Sequence, residues 1–407
     1  MNMSSQPTVL IVATMDTKGN EVQYLSTVLQ ACGVHVITLD AGIMGDATFP
    51  VTINRYEVAM AAGKNLSEVR AMASEGEALL VMTAGATKLA LNLFNEKKID
   101  GIMGLGGSMG TTLGTGVMRA LPIGFPKLMI STMASKNTRP FVGTKDIMML
   151  HAVCDLSGIN RITRKLLWNG GLAMAGMVKQ GIQPSGDEKP LVFVTTLGTT
   201  EACAQRIKKY LEDKGKEVII FHTVGSGGES METIIHEVEV EAVLDFSLHE
   251  LVDHYFGGDY DAGPDRGSAS LNKGIPTLIA PGNIDFIVAG PFAQAEKKFP
   301  GRLYHVHNQA ITTIRTDIRE IASIAQRLVT FSNAATGPVA ILVPMKGFSI
   351  WDNPGGPFYN PEGPKVFADI LEAGLKSDIS LYRLPYNIND PEFADEAITI
   401  LERITHS

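Results

Sequence analysis

Cysteine is scarce: Cys32, Cys154 and Cys203 are the only three in 407 residues, and they lie far apart with no CxxC pair. That excludes a disulfide framework and a cysteine zinc site, and it fits a reducing compartment. Charge is also sparse, at 19% with a formal balance of -8, and Lys and Arg are scattered rather than striped. No dedicated nucleic-acid surface is expected from such a distribution. The N-terminus MNMSSQPTVLIV has no basic region, and its apolar run meets Thr14, Asp16 and Lys18 within a few residues. It reads as a first buried strand rather than a signal peptide or membrane span, so a cytoplasmic chain is expected. A GxSxG elbow is missing, and His249, Glu250 and His254 do not have HExxH spacing. Serine-hydrolase and zinc-protease readings therefore have little support.

What is present is a 45% hydrophobic chain, longer than the roughly 250 to 300 residues at which one core stops growing. Two halves are written in it. The stretch Val9 to Gly45 aligns without a gap to Leu191 to Gly227, residue 9 against residue 191, an offset of 182. Thr14 meets Thr196, Thr17 meets Thr199 and Gly33 meets Gly215. In each copy an apolar run leads through a polar turn into a segment of helical spacing (Val22, Leu25, Val28, Leu29; Ile207, Leu211), then glycine, then a second apolar run. That is a β-α-β unit, twice. A second echo follows in the same order, GFPKLMIST at 124–132 against GIPTLIAPG at 274–282.

The expected fold is α/β: two Rossmann-like subdomains with mainly parallel sheets, related by internal duplication. The boundary is placed in the Gly-, Pro- and charge-rich break at 180–190, giving an N-terminal nucleotide-binding domain, 1–182, and a C-terminal α/β domain, 183–407. Further strands are expected at Leu79 to Met82, Gly101 to Gly104, Val218 to Phe221, Ala242 to Phe246, Val339 to Val343 and Ile379 to Leu384, mostly apolar runs of strand length.

The strongest chemical signal is the run Gly104-Leu-Gly106-Gly107-Ser108-Met109-Gly110-Thr111-Thr112, between a buried strand and an apolar helical stretch. Backbone N–H groups at such a helix start bind anions. No Lys follows the last glycine, Met109 breaks GxGxxG, and the strand KLMIST does not end in an acid. Walker and NAD fingerprints are thus both absent, and the motif implies phosphate without naming a nucleotide. The alternative is that these glycines only permit close strand–helix packing. In the first turn, Thr14-Met-Asp16-Thr17-Lys18-Gly19, Asp16 suits a metal and Lys18 a phosphate, unless Asp16 or Thr17 merely caps the helix. Turns containing Gly85 and Thr87, Ser131 and Thr132, and Gly143 to Lys145 are expected on the same sheet edge.

In the second half Glu250, Asp253 and His254 fall within one helical turn, followed by Arg266. The cluster is either ligand-binding or a solvated acidic face. His305 and His307 are placed on one face of a strand. The loop Met345 to Pro364, with Trp351, Asp352, Phe358 and Tyr359, reads as a lid or an interface.

Taken together, ATxDTKG, GLGGSxGT, STMAS, DLSGIN, GPDR, PGNID, HN with TxxRT, and PxxGFSxWD make the chain resemble a family of uncharacterised bacterial and plant proteins. The family is named for the ATP-binding N-terminal region of the tomato protein that confers resistance to tomato mosaic virus. The resemblance implies Rossmann-like subdomains, ATP binding with Mg2+ and a homodimer, with a further C-terminal barrel domain in plant relatives. It implies nucleotide contacts at Asp16, Thr17, Lys18 and the run Gly104 to Thr112. A second cluster, Glu250, Asp253, Arg266, His307 and Arg315, is implied at a cleft between the halves. Three functions follow as expectations. The first is an Mg-ATP-binding protein, with Asp16 or Asp253 near the metal; if it is an enzyme, Lys18 or Arg266 stabilises charge and His307 is an acid/base candidate. The second is a non-catalytic nucleotide-responsive protein. The third is a sugar- or acid-phosphate isomerase or lyase using Glu250, Asp253 and His307.

Overall fold

The computed structural model describes residues 6–180 and 189–405. The chain divides into two compact units, Met1–Ser185 and Gly186–Ser407. The boundary expected between residues 182 and 183 lies outside the described residues.

In the first unit, β1 (Thr8–Ala13), β2 (His35–Asp40), β3 (Gly101–Gly106), β4 (Lys127–Ser131) and β5 (Met148–His151) form one sheet. Its order is β2-β1-β3-β4-β5, and every pairing is parallel. The strands are almost continuously apolar because helices cover both faces. Leu10, Val12, Ile102 and Met129 enter one core, and Val9, Ile11, Met103, Leu128 and Ile130 the other. The strand order reverses between β1 and β3, the topological switch point at which open α/β sheets bind ligands, outside the carboxyl ends of the strands.

Leu79 to Met82 is not a strand. It lies in a 21-residue helix, Glu75–Asn95, whose start is capped by Ser74 accepting from the Glu77 N–H. A four-residue apolar run fits either a buried strand or one face of a helix, and length decides. The segment 84–88 is consequently helix interior, not a turn. This is the one helix among the described residues long and apolar enough to cross a membrane. Its Ala78, Leu79, Met82, Ala86 and Ala90 nevertheless pack into the first-unit core.

The second unit repeats the plan. Its strands are β6 (Leu191–Thr196), β7 (Glu217–His222), β8 (Ala242–Asp245), β9 (Thr277–Ile279), β10 (Phe286–Ala289), β11 (Tyr304–Val306), β12 (Thr312–Arg315), β13 (Val339–Pro344) and β14 (Ser380–Leu384). A six-stranded sheet runs β14-β13-β9-β8-β6-β7, parallel throughout. The offset of 182 carries β2 onto β7 residue for residue, and β2-β1-β3-β4 has the same order as β7-β6-β8-β9. The second unit adds an antiparallel sheet, β10-β12-β11. His305 lies in β11, but His307 falls beyond its end, so the two histidines are not strand neighbours on one face.

Candidate functional site

At the β1/β3 switch point the first unit has a cavity of about 590 Å³. Asp16, Thr17 and Lys18 line it from the first turn of the helix after β1, and Gly106 to Gly110 from the end of β3 and the start of the helix that follows. Two helices begin here: Met15–Ala31, whose first N–H donates to Asp40 Oδ1 at 3.0 Å, and Ser108–Arg119, whose N-cap Gly107 has no side chain to bond the first-turn N–H groups. A helix start of the latter kind presents unsatisfied donors and partial positive charge.

The glycines divide by role. A Cβ on Gly106 would lie 2.8 Å from the Gly110 Cα, and one on Gly110 would lie 3.2 Å from the Leu105 carbonyl oxygen, so these two serve the close strand–helix crossing. Gly107 is different: a Cβ there meets only Thr132 Oγ1, at 3.9 Å. Close strand–helix packing therefore accounts for Gly106 and Gly110 but not for Gly107.

Asp16 places one oxygen, Oδ2, on the Gly45 N–H at 2.9 Å. Its other oxygen, Oδ1, is buried and has no hydrogen-bond partner among the described residues. Lys18 lines the cavity, but its Nζ donates to the Leu156 carbonyl at 2.7 Å and so braces the 152–160 segment. Thr14 Oγ1 and Thr17 Oγ1 bond each other at 2.8 Å. Thr111 and Ser131 lie behind the cavity, joined Oγ1 to Oγ at 2.6 Å, with Thr111 also donating to the Gly107 carbonyl. Thr112 turns back to the Ser108 carbonyl, and Thr132 donates its backbone N–H to Gly106. None of these four lines the cavity. Gly85 and Thr87 are removed from it as well. Gly85 lets its helix meet the helix Arg55–Ala61, since a Cβ would run into the Val58 carbonyl oxygen.

Two residues escaped the sequence reading. Arg70 lines the cavity while Nε and one Nη donate to the Ile43 and Met44 carbonyls at 2.7 and 2.9 Å. Asp40, at the end of β2, is the acid that NAD folds use for ribose. Here its Oδ1 accepts from the Met15 and Gly42 N–H groups and Oδ2 lies 3.4 Å from Arg55 Nε. It holds loops together, is 1% exposed and does not line the cavity. The apolar half of the cavity is formed by Ile43, Val69, Met72, Ala78 and Leu79.

At the equivalent edge of the second unit the space is filled. Thr196 and Thr200, Thr223 and Ser247, and Asn283 with Thr200 and Ser247 form a buried ladder of side-chain hydrogen bonds. Arg266 is fully buried, bidentate to Asp245 at 2.6 and 2.8 Å and bonded to Glu250 at 2.7 Å. Burial opposes its charge, but Asp245 and Glu250 outweigh that and hold its proton more firmly than usual. Glu250 also accepts from the Gly225 and Gly228 N–H groups. Asp253 accepts from Val288 and Tyr260. His307 is exposed, its ring 6.0 Å from that of Trp351. Glu250, Asp253 and Arg266 therefore sit inside the unit as a bracing network. A solvated acidic face does not describe Glu250 or Asp253, which are both fully buried.

The loop after β13 and the antiparallel sheet crowd the same edge. Ser349 donates to Asp285 Oδ2 at 2.6 Å. Burial raises Asp285 to about 6, and burial with the Asp285 charge raises Asp352 to about 8. His249 is fully buried, which lowers its pKa, yet Asp253 and Glu250 leave the net shift upward.

Two family models match the chain: the N-terminal domain of an uncharacterised protein family (UPF0261) over residues 7–183, and the C-terminal domain of the same family over residues 189–405. A UPF0261 protein of Clostridium tetani is 37% identical, covering 95% of this chain and 96% of its own. The tomato ToMV resistance protein Tm-1(GCR237) is 31% identical over 97% of this chain, which spans 55% of the tomato protein. Among solved structures, MurG of Acinetobacter baumannii aligns over 98% of this chain and all of its own at 12% identity and a TM-score of 0.25, too slight a likeness to argue from.

Proposed function

The chain belongs to the uncharacterised protein family UPF0261, and from that premise we propose that its first unit binds the phosphate end of a nucleotide, ATP with Mg2+, in the switch-point cavity. The observation that carries this reading is the start of the Ser108–Arg119 helix, which has no side-chain cap and opens on the cavity beside Gly107, next to the first turn of Met15–Ala31. The N–H donors of such a start suit a phosphate chain. Arg70 supplies cationic charge at the same cavity. The apolar half, Ile43 to Leu79, takes the base.

Magnesium typically binds through one or two carboxylates, substrate phosphates and water rather than through a full protein cage. The residues fit that pattern, because Asp16 Oδ1 is a buried carboxylate oxygen without a partner, while no group of three or more ligating side chains exists among the described residues. The ion would arrive with the nucleotide and lower the repulsion among its oxygens. Asp16 and Glu75 are the carboxylates lining the cavity.

The test is titration calorimetry of the full chain with Mg-ATP, ADP, AMP, adenosine and ribose 5-phosphate. Affinity should fall as phosphates are removed and vanish at adenosine. Tighter binding of ribose 5-phosphate than of ATP would overturn the nucleotide reading in favour of a sugar-phosphate enzyme.

A further inference from the structure

Three sequence motifs that the nucleotide reading does not use, PGNID, TxxRT and GFSxWD, fold together in the second unit. Asp285 closes the first and is joined to the third by Ser349, whose Oγ also accepts from the Trp351 N–H at 3.0 Å. The second is tied in by Thr316, which donates its N–H to the Asp285 carbonyl at 3.0 Å. Arg315 is the cross-strand partner of Phe286, whose ring stands 4.9 Å from Trp351 and 4.7 Å from His249.

Within this cluster several polar atoms lack a hydrogen-bond partner. Asp285 is 2% exposed and its Oδ1 accepts nothing; His249 is 0% exposed and its Nε2, 3.3 Å from Asp253 Oδ2, is not aligned for a hydrogen bond. The half-buried Arg315 makes no side-chain hydrogen bond or ion pair among the described residues. Buried polar groups in native proteins are nearly always satisfied. A carboxylate oxygen, an imidazole nitrogen and a guanidinium, each without a hydrogen bond and gathered beside aromatic rings, call for a polar molecule with an apolar remainder.

We propose that the second unit carries its own binding site for a small organic monocarboxylate, anchored on the Arg315 guanidinium, with Asp285 and His249 as hydrogen-bonding groups and Trp351 as the apolar wall. A planar carboxylate pairs with guanidinium through two parallel hydrogen bonds. A doubly charged phosphate fits less well, because Asp285, ionised above about pH 6 and within electrostatic reach of Asp352 beside Arg315, repels the second charge.

Trp351 reports on the site directly, since the chain has two tryptophans and the other is Trp168. In a Trp168→Phe background, Trp351 fluorescence is titrated with acetate, glycolate and benzoate at constant ionic strength, with inorganic phosphate as the control. A saturable change is expected with at least one carboxylate and not with phosphate. Arg315→Met should weaken it about 10- to 100-fold, the worth of a charge-assisted hydrogen bond, with the unfolding midpoint retained. Arg315→Lys, which keeps the charge but loses the planar fork, should fall between the two. No saturable change with any of the three carboxylates, an equal response to phosphate, or affinity unchanged in both variants would overturn the proposal. Because Mg-ATP is absent throughout, failure here is separate from failure of the nucleotide reading.

Discussion

Replacing Gly107 by Asp should make the protein more stable and less able to bind phosphate at once. Gly107 is the N-cap of Ser108–Arg119, with φ -78° and ψ -154°, and has room for a side chain. A carboxylate there can accept from the backbone N–H groups of the first turn and face the positive end of the helix, a gain of about 0.5 to 1 kcal/mol. For a unit of this size that raises the midpoint of thermal unfolding by roughly 1 to 4 °C without ligand. The same carboxylate occupies the donors offered to a phosphate and places like charge about 4 Å from it. At an effective dielectric constant of about 20 that repulsion is roughly 4 kcal/mol, near a thousandfold in affinity. Differential scanning calorimetry with and without Mg-ATP reads both effects, because a ligand that binds the native state raises its midpoint. A variant several degrees less stable than wild type would show that Gly107 is a packing glycine like Gly106. A variant that still shifts with Mg-ATP as wild type does would refute the assignment of phosphate to this helix start.

Gly85→Ala should lose about 1 to 3 kcal/mol by overpacking against Val58, with nucleotide affinity in calorimetry unchanged. Arg266→Met should cost about 3 to 5 kcal/mol in urea unfolding, since it leaves Asp245 and Glu250 buried without their cation. The raised pKa values of Asp285 and Asp352 mean that the folded state keeps protons the unfolded chain releases near pH 4. Their contribution to stability is therefore full at low pH and is lost as pH rises through about 6 and about 8. Asp352→Asn should flatten the decline of the unfolding midpoint between pH 5 and 8.5, and an unchanged slope would count against the raised values.

The doubled architecture was legible because it rests on local pattern: β2 and β7 are related by the same 182-residue offset as the strings that encode them. The glycine run that lines the switch-point cavity was legible too, since it lies between a strand and a helix. What could not be read were roles fixed by partners distant in sequence. Asp40 is committed to Met15 and Arg55, and Lys18 to Leu156, 138 residues away. Arg70 reaches the cavity from a five-residue helix with no motif of its own. Gly85 looked like a turn because Ala-Gly-Ala-Thr carries turn residues, whereas the surrounding 21-residue helix outweighs that local preference.

The hydrogen-bonded ladder at the carboxyl edge of the second sheet has a consequence for how this chain can change. Thr14 stands at the mouth of a cavity, whereas its counterpart Thr196 is fully buried and bonded to Thr200. Substitutions at position 14 should be tolerated by the fold and judged by ligand; those at position 196 should be judged by whether the chain folds at all. Descendants of one duplicated turn thus answer to different selective pressures, and a deep mutational scan scored separately for abundance and for nucleotide retention should separate them pair by pair. At this pair of turns the first half keeps room for change, and the second has exchanged it for rigidity.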